Sequence, residues 1–358
     1  NFAVNLSNNY YVAATATGTG DGSSTDNRAS IATAIAMAST LGTVNFVLIN
    51  DGSSIDTSGL TFTLDDGQTV DTFGGGRTFT ESGFVIPLNI TGTNLPATGI
   101  AVSDPTGLGA ATLTNSSGGV ATLSLANGNA VRNITVGNAA GNAISGSGIS
   151  GVTLSGVTST AGISLANTSG SVILTDVSVN NGSGTGLSLS GNAGTITGTN
   201  VDITGVNSLA VTGGNAAVTF DADSSIANTG GTAVAITGRI GGSFSHFGSI
   251  SSNGGTASGI TIAGATGASN VTFGGQVSLG TTTALGGGSG LSLDNNGQSS
   301  VVAFSGGLDI ITAGFDALAA TGGGSLNISG GSISATGGSA ATIGGGIATD
   351  ITFSSVTS

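Results

Sequence analysis

The chain has 358 residues, 67 of them Gly, with no Cys and no Trp, and 17 acidic residues against four Arg give a formal charge of −13. Such a surface repels phosphate backbones and offers no basic face to anionic membranes, which argues against nucleic-acid binding and electrostatic membrane association. No apolar run approaches the roughly 20 residues of a membrane helix, and the lack of cysteine argues against a disulfide-stapled scaffold.

Hydrophobic residues make up 38% of the chain and they alternate, so the low charge does not mean disorder. Polarity is supplied by Ser, Thr, Asn and Gly. Residues 1–58 read as an N-terminal cap. Within it Ser24, Thr25 or Asp26 can cap a helix over 26–41, whose apolar stripe is Ile31, Ala32, Ile35, Ala36 and Met37. Gly42 can end it. Short strands are expected over 45–49, 60–64, 68–73, 85–90, 99–102 and 111–113.

From Leu123 onward the chain repeats. One track pairs apolar residues two apart: Leu123/Leu125, Ile163/Leu165, Leu187/Leu189, Leu209/Val211, Val234/Ile236, Ile260/Ile262, Leu291/Leu293, Leu318/Ala320 and Ala341/Ile343, with Ile144 as a weaker member. The mean step is about 24 residues, within the range of solenoid repeats. A second track runs Leu154, Leu174, Ile196, Phe220, Phe244, Phe273, Phe304, Ile328, Phe353. A third runs Val157, Val177, Val201, Ile226, Ile250, Val277, Leu308, Ile333, Val356. Three strands too short to stand alone, repeated in phase, bury their alternate side chains when the chain coils and successive coils stack. The expected fold is all-β: a single-stranded right-handed parallel β-helix over 59–358, with three short strands per coil. A string of antiparallel β-sandwich domains is the competing architecture. The tracks continue in phase to Val356, so the helix is expected to continue past Ser358 in a parent chain or to dock there on another subunit. Phe220, Phe244, Phe273 and Phe304 are expected to share one inward column.

This coil pattern resembles the right-handed parallel β-helix of the pectin-lyase-like superfamily. The run from Tyr11-Val12 through Gly18-Thr19-Gly20-Asp21-Gly22 to Ser30-Ile31-Ala32-Thr33-Ala34-Ile35 is similar to the lead-in and capping helix of such proteins. Leu64-Asp65-Asp66-Gly67-Gln68-Thr69-Val70 resembles a first-coil phrase of bacterial surface proteins of the adhesin and autotransporter-passenger type. The resemblance implies a secreted, cell-surface location and a rigid elongated surface that binds glycans or other copies of the chain. It equally covers polysaccharide lyases and glycoside hydrolases, so fold alone does not choose.

Chemistry is sparse. Asp221 and Asp223 are the sharpest acidic pair. If Phe220 points inward, both point outward from one strand. His246, the only histidine, falls one coil later, and Arg239 lies in the turn before it. The four are candidate catalytic residues of a hydrolase or lyase; the plainer alternative is an exposed acidic strand beside a surface histidine. Asp65-Asp66 fits a turn, and Asp309 and Asp316 fall in different segments. No Gly-rich phosphate loop with Lys is present, and one His cannot build a zinc site. No cofactor is expected beyond weak calcium binding by scattered Asp.

Overall fold

The structure is a computed structural model and describes residues 9–81 and 100–358. The strand expected over 85–90 lies outside the described residues. The described chain is an all-β parallel solenoid of about 12 turns with about 24 residues per turn. Each regular turn gives one strand to each of three stacked parallel sheets. The first sheet starts at Phe62–Thr63 and ends at Ala341–Ile343. The second starts at Asn9–Ala13 and ends at Ile347–Thr352. The third starts at Ile55–Asp56 and ends at Ser355–Thr357. The stack therefore begins closer to the N-terminus than the boundary expected near residue 58. Alternation drives the coiling: in Ala217–Phe220 the residues Val218 and Phe220 are buried while Ala217 and Thr219 are half-buried on the other face.

The first sheet follows the first track member by member. Leu123, Ile144, Ile163, Leu187, Leu209, Val234, Ile260, Leu291, Leu318 and Ala341 are successive register partners. The second and third tracks each slip. Phe220 is in register with His246, not Phe244, and Phe244 pairs with Val218 and Val271. Ile196 pairs with Val172, and Ile328 with Ile351 rather than Phe353. In the third sheet Ile226 pairs with Ile203 and Ile333 with Ile310. Each slip is two residues, which leaves the inward face unchanged and so is invisible to alternation. The expected single phenylalanine column is corrected accordingly. The column holds Phe220, His246, Phe273 and Phe304, with Phe244 beside it. All four rings are still interior: Phe273 and Phe304 stack at 4.7 Å, and Phe244 contacts Phe220 at 6.3 Å and Phe273 at 5.8 Å.

Two corners repeat a left-handed residue. Where the first sheet turns into the second, Gly148, Asn167, Gly191, Gly213, Gly238 and Gly264 follow one another in successive turns, all with φ between 53° and 68°. Where the second turns into the third, Asn133, Gly156, Asp176 and Asn200 do the same, with φ of 50°, 62°, 52° and 52°. Only Gly, Asn and Asp take this backbone at low cost, which is why the corners are written in those three residues.

The N-terminal turn departs from the pattern. The helix is shorter than 26–41: α1 covers Ile31–Met37, followed by a 3-10 turn Ala38–Thr40, and Ser30 rather than residues 24–26 caps it by accepting from Thr33 N. Residues upstream instead form Ala29–Ser30, which pairs with the outer edge of Asn9–Ala13. Ile31, Ala34 and Ala38 join the interior with Tyr10, Phe46 and Phe62. Buried Gln68 ties the helix end down, donating to Ala38 O at 2.6 Å and Gly42 O at 2.8 Å. Asn9–Ala13 and Asn45–Ile49 are buried on both faces, because Tyr11, Ala13, Val47 and Ile49 meet Phe73 and Phe79 in a second apolar cluster. This cover includes the antiparallel pair Phe79–Glu81 with Ile100–Val102.

Candidate functional site

The structure separates the four candidate residues. Phe220 ends its strand, and Asp221 and Asp223 lie in the turn that follows, not on one outward strand face. Asp221 continues the second-to-third corner. Its Oδ1 accepts from Asn200 N at 3.0 Å and Ser224 Oγ at 2.7 Å. Burial works against its carboxylate, but these hydrogen bonds outweigh it and hold the pKa below the usual value. Asp223 is exposed.

His246 is 1% exposed, so it is not a surface histidine. It ends Ser243–His246 facing inward, its ring 5.7 Å from that of Phe220. Its Nδ1 lies 3.2 Å from Gly248 O, a carbonyl that can only accept, so Nδ1 carries the proton. Burial drives its pKa down to about 4, against small opposing effects of Gly248 O and Asp221. Of the four, only Asp221 and His246 are brought near each other.

Arg239 lies in the corner that precedes Ser243–His246, and its guanidinium reaches Ser243, at the end of the strand opposite His246. It is 1% exposed and has no carboxylate partner among the described residues. Its Nη2 donates to Ala216 O at 2.6 Å and Ser243 O at 3.3 Å, and its Nε has no partner among the described residues. Burial lowers the guanidinium pKa. Both the imidazole and the guanidinium are thus enclosed from solvent.

Arg239 belongs to an inward corner position that sequence reasoning missed. Buried Asn192 and Asn296 occupy the same place in other turns. Asn192 accepts from Thr168 N at 2.9 Å and donates to Leu165 O at 3.1 Å; Asn296 accepts from Ala265 N at 3.2 Å and donates to Ile262 O at 2.9 Å. A signal existed. Each follows the left-handed residue that lies two past a first-track pair: Leu189 to Gly191, Ile236 to Gly238, Leu293 to Asn295.

The acids form a second unforeseen pattern, one of links between turns. Asp56 accepts from Ser116 Oγ at 2.5 Å, Asp202 from Ser225 Oγ at 2.5 Å, and Asp309 from Ser332 Oγ at 2.7 Å. Asp316 accepts from Ser339 N at 2.8 Å and Thr342 Oγ1 at 2.9 Å, and Asn200 donates to Asp176 at 2.8 Å. These donors hold Asp56 and Asp316 below the ordinary carboxylate pKa. Asp71, 1% exposed, is pushed up by burial although Arg77 lies 2.9 Å away in the one ion pair among the described residues. No three His, Cys, Asp or Glu side chains of the described residues converge as metal ligands.

A surface cavity of about 620 Å³ lies at the third-to-first corner. It spans three successive turns and is lined by Asn, Ser, Thr, Gly and Ala, without a charged residue. Comparison with protein-family profiles, with curated proteins and with solved structures finds no match in any of the three.

Proposed function

We propose that this chain is a non-enzymatic, extracellular β-helical segment of adhesin type, a structural stalk that presents a rigid elongated surface for binding glycans or other copies of itself. The supporting observation is where the chemistry-bearing side chains lie. His246 and Arg239 are interior, and Asp56, Asp202, Asp221, Asp309 and Asp316 accept hydrogen bonds that link one turn to the next. A hydrolase needs two carboxylates facing one substrate at about 5–10 Å. Here the sharpest pair is divided between a corner link and an exposed turn.

The test is incubation with a panel of acidic and neutral polysaccharides, read for new reducing ends and unsaturated products. The scaffold reading expects none above background. Product formation that disappears in Asp221→Ala and Asp223→Ala would establish the polysaccharide lyase or hydrolase reading instead.

A further inference from the structure

We infer that the notch at the third-to-first corner between Asn138 and Ser188 is a binding subsite for a neutral oligosaccharide; this rests on the reading of the chain as a glycan-presenting scaffold. Its shape follows from chain length. Between register positions of the third and first sheets, one turn spends seven residues (137–143), the next three (160–162), and the next seven (180–186). A short corner between two long ones leaves a slot two turn spacings wide, about 10 Å at about 4.8 Å per strand. The volume of about 620 Å³ lies within the range of ligand pockets, about 300–1,000 Å³.

Both walls are pre-formed. Asn138 donates to Val120 O at 2.6 Å and Asn142 O at 3.0 Å and accepts from Gly141 N at 2.7 Å. Asn181 repeats the device, donating to Thr185 O at 2.9 Å and accepting from Gly184 N at 3.1 Å. Walls already fixed lose little entropy on binding.

The lining defines the ligand. Asn142, Thr160, Ser164, Thr185 and Ser188 line the slot and their side chains make no hydrogen bond within the described chain, so their donors and acceptors are free for a ligand. Hydroxyls and carboxamides both give and accept, which suits the neighbouring hydroxyls of a sugar. No charge lines the slot, and a chain of net charge −13 disfavours uronic acids and sulfated sugars. An extended peptide is a poorer fit, because the floor is a sheet face whose backbone groups are already paired with adjacent turns.

The experiment is saturation-transfer NMR on the full chain with maltotriose, cellotriose and mannotriose, and with trigalacturonate as the anionic control. At least one neutral trisaccharide should bind, with Kd on the order of 1 mM for a single subsite, and trigalacturonate should not. Ser164→Tyr fills the floor and should weaken binding at least about tenfold. Thr160→Val keeps shape but removes a hydroxyl, and should weaken binding at an unchanged thermal midpoint. Absence of neutral-sugar binding, or equal binding by wild type and both variants, overturns the subsite and leaves the scaffold reading standing. Cleavage of a trisaccharide in the same tubes would sink the scaffold reading itself.

Discussion

At the N-terminal end of the stack the strand Asn9–Ala13 is buried from Tyr10 to Ala13, while at the C-terminal end Ala341–Ile343 and Ser355–Thr357 are exposed along their whole length. The first turn folds back on itself. Ala29–Ser30 pairs with the outer edge of Asn9–Ala13, Tyr11 N donates to Gly22 O, and α1 adds Ile31 and Ala34 to the interior. Among the described residues the last turn has no such device. Ile343 and Val356 are exposed, and Ile351 and Phe353 are only partly covered. Within the described residues the first turn is thus covered by chain that leaves the repeat, while the last turn keeps the form of the repeat. Open parallel edges invite further strands, so the two ends should answer very differently to damage.

The largest effect is expected from removing residues 1–44. This strips the edge cover, leaves Asn45–Ile49 as an open edge strand and takes Tyr10, Val12, Ile31 and Ala34 away from Phe46 and Leu48. The product should aggregate or lose cooperative unfolding, seen by light scattering and calorimetry; a soluble, cooperatively folding monomer would break the comparison. Removing 341–358 should instead leave a folded chain, because the turn beneath presents a similar open end and each turn contacts only its neighbours.

Next comes Phe273→Ala. Its ring touches Phe244 and Phe304, and truncation should cost about 3–5 kcal/mol where the site cannot collapse. Hydrogen exchange should show protection lost first in adjacent turns and then toward the open end. Uniform loss throughout would mean that stability is not passed from turn to turn.

The first sheet was legible from Leu123 onward because each of its turns there carries one apolar pair between Gly- or Asn-marked corners. The other two were legible as faces but not as registers. Val218 and Phe220 both point inward, and the sequence cannot tell which of them meets Phe244. The natural choice, aromatic on aromatic, put the phenylalanines in one column and left His246 outside. Burial of His246 was therefore hidden by the same two-residue ambiguity, and with it the dissolution of the candidate site. The helix was overextended because the stripe Ile31–Ile35 is real, while the capping residues upstream serve a turn and an edge strand instead.

His246→Phe sharpens the account at smaller scale. The folded pKa of about 4 lies below the usual 6.5, so the unfolded chain binds the proton first as pH falls. Stability is therefore lost between about pH 6.5 and 4, by about 3 kcal/mol at about 1.4 kcal/mol per pKa unit. Urea unfolding at both pH values should show this slope in the wild type and a flatter line in His246→Phe. Below pH 4 both should weaken further, as Asp56, Asp221 and Asp316, held low when folded, take up protons.

The smallest effect is expected from Asn192→Ala, which orphans Thr168 N and Leu165 O at a buried corner. It should cost about 1–3 kcal/mol in urea unfolding. Asn192→Gly should not rescue it, since the missing element is the carboxamide and not backbone freedom.

The central claim is that His246 and Arg239, which looked catalytic, face the interior, while Asp221 links one turn to the next. The chain has one histidine, so its imidazole gives a single unambiguous NMR signal. Following that signal against pH tests the claim most directly. The account predicts a midpoint near 4, with the neutral ring protonated on Nδ1. A midpoint near the unperturbed value of about 6.5, with rapid exchange against solvent, would place His246 on the surface and contradict it.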